Sequence, residues 1–296
     1  MIGYLFLFLA LVSGLVKGFS GKTLSREVFS LYDGVAVNTL RTILCALIGL
    51  VLLLLFQGFN GLAISSDGFI VCLCSSVFMA TFCISWLYAY RNEAYVFLSV
   101  FTMLASIVTG LLGWIFFSEN IKTTKIIGMA VLIVAVYFTS IFNKKITGKI
   151  TLKGMITLIL GGLSLSLADF MQKVWVRGDY SHVTTFTFYT YALTIVPQLL
   201  LIFILRNNKS QALNKKLFDK KHLIIFIVIS VALFSSSLTK TLAATYLDGS
   251  VMYPTLQAAN LIATAALSKL ILKEQLSLSA ITGVIIAISG IVLMNI

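Results

Sequence analysis

Polar positions are sparse along this chain and gather in short clusters. Between the clusters run apolar stretches of about twenty residues, roughly 2–21, 34–56, 68–90, 94–117, 123–142, 154–173, 183–205, 223–246, 249–272 and 277–295. At ~1.5 Å per residue, ~20 helical residues match a hydrocarbon slab of ~30 Å. In lipid the backbone must satisfy its own hydrogen bonds, so such runs are read as helices. The short alternating segments of a membrane β-barrel are absent from the pattern. The expected fold is an all-α integral membrane protein with ten transmembrane helices, a lipid bilayer being its solvent.

Composition agrees. Hydrophobic residues make up 59% of 296 and charged residues 11%, against about 25% charged in soluble domains. The longest hydrophilic loop, 206–222, is too short to be a domain. No soluble catalytic module is therefore expected, and the first span lacks the basic n-region and small-residue cleavage site of a signal peptide. Cys45, Cys72, Cys74 and Cys83 all fall within spans and read as small apolar packing residues, not as a metal or disulfide framework.

The net charge of +12 reads as membrane topology instead of nucleic-acid binding. Lys and Arg number 14 in the loops after odd-numbered spans and 4 in or beside those after even-numbered spans, Lys122, Lys125, Lys173 and Arg177. That bias puts the first set in the cytoplasm and both termini outside, in a multi-pass protein of the plasma membrane, with a bacterial one expected. The stretch GLVKGFSGKT (14–23) ends like a phosphate-binding loop, but the first glycine of G-x-x-x-x-G-K-[ST] would fall on Val16. No nucleotide, cofactor or metal site is expected.

The chain also repeats itself. An offset of 155 pairs Glu119 with Glu274, Gly128 with Gly283 and Thr109 with Thr264. Nearer the start of each half, an offset of 151 pairs Gly3 with Gly154, Lys22 with Lys173 and Arg26 with Arg177. Lys22 is thus a feature of a repeated helix end. The expected units are residues 1–145 and 146–296, each of five spans. Five is odd, so the second enters the membrane from the opposite side, and inverted repeats of this kind build transporters with a midplane site.

The segments FFSENIKTTKIIGMAVLIVAVYF (116–138) and LILKEQLSLSAITGVIIAISGIVLM (270–294) resemble the EamA-type domain of the drug/metabolite transporter superfamily, in which a Glu follows the fourth span and a Gly lies in the fifth. LDGSVMYPTL (247–256), with Pro254, and NTLRTIL (38–44), with its arginine, are similar to further parts of that pattern; Ser99 stands where the family often has proline. The resemblance covers the whole chain. It implies a non-enzymatic secondary carrier or exporter of small metabolites working by alternating access, and it fixes no substrate.

Charges within a span cost ~2.5–3.5 kcal/mol on insertion scales and tend to be functional. Lys17, Arg41, Lys240 and Lys269 are the basic residues inside spans, and Asp169 is the embedded acid. Asp169 and Lys173, four apart, are placed to pair. Lys17, Asp169 and Lys240 are candidates for the transport path, Lys240 lying among hydroxyls in FSSSLTKTLAATY (234–246). Trp86, Tyr90, Tyr253, Gln257 and Asn260 are candidates for recognition. Glu119 and Glu274, just before a helix start, read as helix-end carboxylates, with Lys22 and Lys173 as helix-end cations. Arg41 reads as structural and Lys269 as a snorkelling side chain.

Buried lysines suit an amino acid or another anionic or zwitterionic solute. The alternative is a proton-coupled multidrug or quaternary-amine transporter, for which Asp169 is the acid and the aromatic residues the cation-π surface. Protons are thus the coupling ion to consider. A membrane enzyme is disfavoured, since the two histidines lie in loops and H-E-x-x-H and G-x-S-x-G are absent. The chain is expected to act as a monomer or homodimer.

Overall fold

The computed structural model describes residues 1–92, 95–119, 122–141, 152–206, 219–271 and 278–296. These form ten helices: α1 (Ile2–Ser25), α2 (Leu31–Gln57), α3 (Ser66–Asn92), α4 (Tyr95–Phe117), α5 (Thr123–Ile141), α6 (Leu152–Gly178), α7 (Val183–Arg206), α8 (Lys220–Tyr246), α9 (Gly249–Leu270) and α10 (Leu278–Asn295). No strand occurs among the described residues. Every apolar run of the sequence has its helix. Several helices outrun the slab: α2, α3, α6 and α8 have 27 residues each, about 40 Å at ~1.5 Å per residue. Long, uniformly apolar windows lie in α1, α2, α3, α7 and α8, and shorter apolar stretches in α4, α5 and α10. The fold is that of an all-α integral membrane protein.

Local chemistry sets the ends. Ser30 caps α2, its Oγ accepting from Asp33 N at 3.0 Å, while Asp33 Oδ2 accepts from Ser30 N at 3.1 Å. Gly58, with φ 61° and ψ −158°, takes a positive-φ conformation open to glycine that ends α2 and opens a 3₁₀ turn over Gly58–Leu62. Pro197 and Pro254 lie inside α7 and α9.

The helices pack mainly across the two halves of the chain. α1 lies on α8 and α3 on α6, while α2 meets α7, α4 meets α9 and α5 meets α10. Exchanging α1–α5 for α6–α10 in order maps this set of partners onto itself. The α5–α10 crossing is close because both helices carry glycine there: a Cβ on Gly128 would stand 2.9 Å from Gly290 O, and one on Gly290 would stand 3.2 Å from Gly128 O. The sequence paired Gly128 with Gly283 as repeat mates; the crossing itself uses Gly290.

One apolar core joins α1, α2, α3, α6, α7 and α8 around Trp86, Tyr191 and Phe234, and a second joins α4, α5, α9 and α10 around Met103, Leu132 and Leu261. Phe8, Leu55, Phe116, Phe203 and Ile227 are exposed on the outside, where lipid covers such side chains. The ends of the chain meet on one side of the bundle: Tyr4 Oη donates to Asn295 Oδ1 at 3.1 Å.

Candidate functional site

A cavity of about 60 Å³, room for a few waters, lies among α1, α3, α4, α6, α8 and α9. Helical spacing selects its walls. Ala10, Gly14 and Lys17 lie on one face of α1, and Phe82 and Trp86 sit a turn apart on α3. Ser236 and Lys240 sit a turn apart on α8, and Gln257 and Asn260 a turn apart on α9. Thr102 of α4, Leu165 of α6, Leu11 of α1 and Leu256 of α9 complete the wall. Both halves of the chain therefore contribute.

The cations are arranged around one ring. Lys17 Nζ lies 5.7 Å from the Trp86 centroid and 5.8 Å from that of Phe82. Arg41 Cζ lies 5.1 Å from the Trp86 ring. Arg41 is 1% exposed, its Nη1 donates to Asn38 Oδ1 at 2.9 Å, and its Nε has no partner among the described residues. Asn38 is held in turn by Gly34 O at 2.9 Å and Cys83 O at 2.7 Å. Gly21 makes room for the indole: a Cβ there would stand 2.4 Å from Trp86 Cη2. The glycine of the GKT triplet thus serves an aromatic ring, not a phosphate.

Lys240 lines the cavity and forms an ion pair with Asp169, which is 1% exposed. No carboxylate pairs with Lys17 or Arg41 among the described residues. Among the described residues, Lys17 and Lys240 line the cavity, Arg41 lies against the Trp86 ring of its wall, and one acid, Asp169, lies behind Lys240. Asn260 Oδ1 is a buried acceptor with no partner among the described residues.

Three sequence expectations need correcting. Asp169 pairs with Lys240 across helices and not with Lys173 along its own. Lys173 donates instead to Ala244 O at 3.0 Å and Leu247 O at 2.7 Å, carbonyls at the end of α8 that have no helical donor, and lies 3.7 Å from Glu119. Glu119 does meet a helix start, but that of α9 and not of the following α5: its oxygens accept from Gly249 N at 2.9 Å and Ser250 N at 2.8 Å. Ser118, at φ 50°, turns the chain back after α4 so that Glu119 reaches there. Tyr253 does not line the cavity. It is fully buried in packing and donates to the backbone Asp169 O at 2.7 Å.

Of the other candidates, Lys17, Trp86, Lys240, Gln257 and Asn260 are brought together at the cavity. Lys22 is half-buried in the last turn of α1, and Lys269 is exposed near the end of α9. The Tyr90 side chain and Glu274 lie outside the described residues. Phe82 and the stacking of Arg41 were missed. The four-residue spacing of Phe82 and Trp86 would have flagged the first; the second depends on α2 approaching α3, which sequence does not encode locally.

A second polar layer closes the side on which the chain ends meet. Arg177 and Lys125 lie 3.9 Å and 3.8 Å from Asp248, next to the Glu119–Lys173 pair.

Comparison with known proteins follows the same outline. No curated protein matches the chain. A protein of solved crystal structure superposes with a TM-score of 0.73 at 10% identity, covering 98% of this chain and 95% of its own, a likeness of fold. The model of the EamA-like transporter family matches residues 1–141 and again residues 152–296. Two matches of this extent leave little of the chain outside them, and the chain belongs to the EamA-like transporter family, membrane transporters of the drug/metabolite transporter superfamily.

Proposed function

We propose that this transporter is an alternating-access carrier of a small anionic or zwitterionic metabolite, bound between two inverted five-helix repeats, 1–145 and 146–296, of a ten-span chain. The observation that carries the reading is the charge at the cavity: Lys17 and Lys240 line it, Arg41 lies against the Trp86 ring of its wall, and among the described residues Asp169, behind Lys240, is the acid beside them. Unpaired buried cations are expensive in the membrane unless something neutralises them, and a solute carboxylate or phosphate does so. Gln257, Asn260 and Ser236 supply hydrogen bonds to the polar part of such a solute, while Phe82, Leu165 and Leu256 supply its apolar wall. The exchange symmetry of the helix partners supports the repeat reading, since rocking one set against the other would expose the cavity to each side in turn. The loop charges, 14 against 4, favour cytoplasmic 144–153 and 206–222 loops and external termini.

The quaternary-amine alternative loses support at the same place. The ring faces that would receive a cation already face Lys17 and Arg41. The test is to express the intact protein and its Lys17→Ala/Lys240→Ala variant in one host and to quantify small molecules in cells and medium. An anionic or zwitterionic solute should redistribute only with the intact protein. Redistribution of a cation, or the same redistribution by the variant, would overturn the reading.

A further inference from the structure

Lys240 has two neighbours competing for its ammonium. Its side chain is part of the cavity wall, yet its partner Asp169 is not; that carboxylate lies behind it, 1% exposed. An anion entering the cavity meets Lys17, which packs against two ring faces and pairs with no carboxylate among the described residues, and then Lys240, which is already engaged. For the anion to use Lys240, it must take the place of Asp169.

Once Lys240 turns away, Lys17 is the cation left near Asp169 among the described residues, and the incoming anion takes it up. From α8 only Lys240 reaches it. From α9, Tyr253 bonds the Asp169 carbonyl and leaves the carboxylate alone. From α1, Lys17 lies across the cavity and would be shared with the incoming anion. The stretch of α4 from Val96 to Phe117 has no ionisable residue, and Glu119 beyond it is held by Lys173. Lys173 on α6 itself is turned to the α8 end carbonyls. α3 and α7 bring Cys83 and Tyr191, neither of them a cation, to the adjoining core. An ionised carboxylate stranded in this way costs several kcal/mol, and such a group takes up a proton instead.

We propose that the carrier is a proton–anion symporter: the solute's anionic group displaces Asp169 from Lys240, and one proton from solution neutralises Asp169 in the same event. The inference rests on the anion-carrier reading above. Charge balances at each stage. The empty site holds Lys17, Arg41 and Lys240 as cations and Asp169 as anion. The loaded site holds the same three cations, a neutral Asp169 and the anion of a monovalent solute. Its net charge is unchanged, so the loaded and empty carriers cross the same electrostatic barrier. Release on the far side returns Asp169 to Lys240 and the proton to water, with no covalent step other than the O–H bond made and broken at Asp169.

The experiment uses the full-length protein in liposomes whose interior is one pH unit more alkaline than the medium. The probe is a deproteinised cell extract read by mass spectrometry, with protein-free liposomes as the control for weak acids that cross unaided. At one proton per monovalent anion, one pH unit sustains a ~10-fold accumulation. The expected result is a monoanion concentrated to that extent by the intact protein, its accumulation lost in Asp169→Asn and regained in Asp169→Glu. An anion that only equilibrates, with or without the pH gradient, would overturn proton coupling and leave the anion-carrier reading standing. No protein-dependent anion, or a cation accumulated in its place, would overturn both.

Discussion

Removing the carboxylate of Asp169 should harm the protein more than removing the ammonium of Lys240. Asp169→Asn leaves three buried cations around one cavity with no acid among them, and neutralises a partner that is 1% exposed. Breaking a buried pair by deleting one member typically costs ~3–5 kcal/mol, because the other charge is left uncompensated. Here the stranded Lys240 also faces Lys17 and Arg41, so the loss belongs at the upper end of that range. Lys240→Met strands Asp169 instead, but Lys17 remains within the same site as a counter-charge, and the loss belongs at the lower end. Asp169→Asn/Lys240→Met removes both and should regain more than half of what Asp169→Asn loses. At roughly 2–4 °C per kcal/mol, the single Asp169→Asn change lowers the melting temperature by roughly 10–20 °C. The assay is thermal unfolding of the purified protein in detergent for all four members of the cycle. Equal stability of Asp169→Asn and the intact chain, or a greater loss in Lys240→Met, would refute the claim that the cavity has excess positive charge.

Other consequences follow from single contacts. Gly21→Ala puts a methyl 2.4 Å from the Trp86 ring, so the indole must move off Arg41 and Lys17; transport should drop severalfold and the tryptophan fluorescence should shift, and an unaltered spectrum would show that the ring is not held there. Glu119→Gln keeps the side-chain shape but removes the charge that meets two N–H groups of α9 and lies near Lys173, at a cost of about 1–2 kcal/mol in thermal unfolding. Tyr253→Phe deletes one buried hydrogen bond, worth about 0.5–1.5 kcal/mol, and should leave the transport KM unchanged because the ring does not line the cavity. Gly128→Leu separates α5 from α10 at Gly290 and should abolish recovery of folded protein by size-exclusion chromatography.

The apolar runs made the ten helices legible, since a continuous run of about twenty apolar residues, without the alternation of a barrel strand, satisfies its backbone in lipid as a helix. The repeat was legible too, because Glu119 and Glu274 stand out in a chain with 10 acidic residues. Pairings between helices were not. Asp169 has Lys173 four residues away and Lys240 seventy-one residues away, and sequence spacing favours the nearer. What decides between them is the orphan carbonyls at the end of α8, which only the packing of α6 on that junction brings within reach of Lys173. Glu119 shows the same limit, since its local position suggested the start of α5 while the turn at Ser118 delivers it to α9. The lysines at 17 and 240 were found because a charge inside an apolar run is costly wherever it points. Arg41 was taken as structural for want of any local sign that Trp86 lay across from it.

The central claim is that the cavity takes an anion, and ligand-dependent stabilisation tests it most directly. Melting temperatures of the intact protein and of Lys17→Met would be measured against matched panels of small organic anions and quaternary amines. A ligand at 100 times its Kd stabilises by about 2.7 kcal/mol, well within reach of such a measurement. The account predicts stabilisation of the intact protein by one or more anions, diminished in Lys17→Met, and none by the amines. Stabilisation by a quaternary amine that survives or grows in Lys17→Met would contradict it.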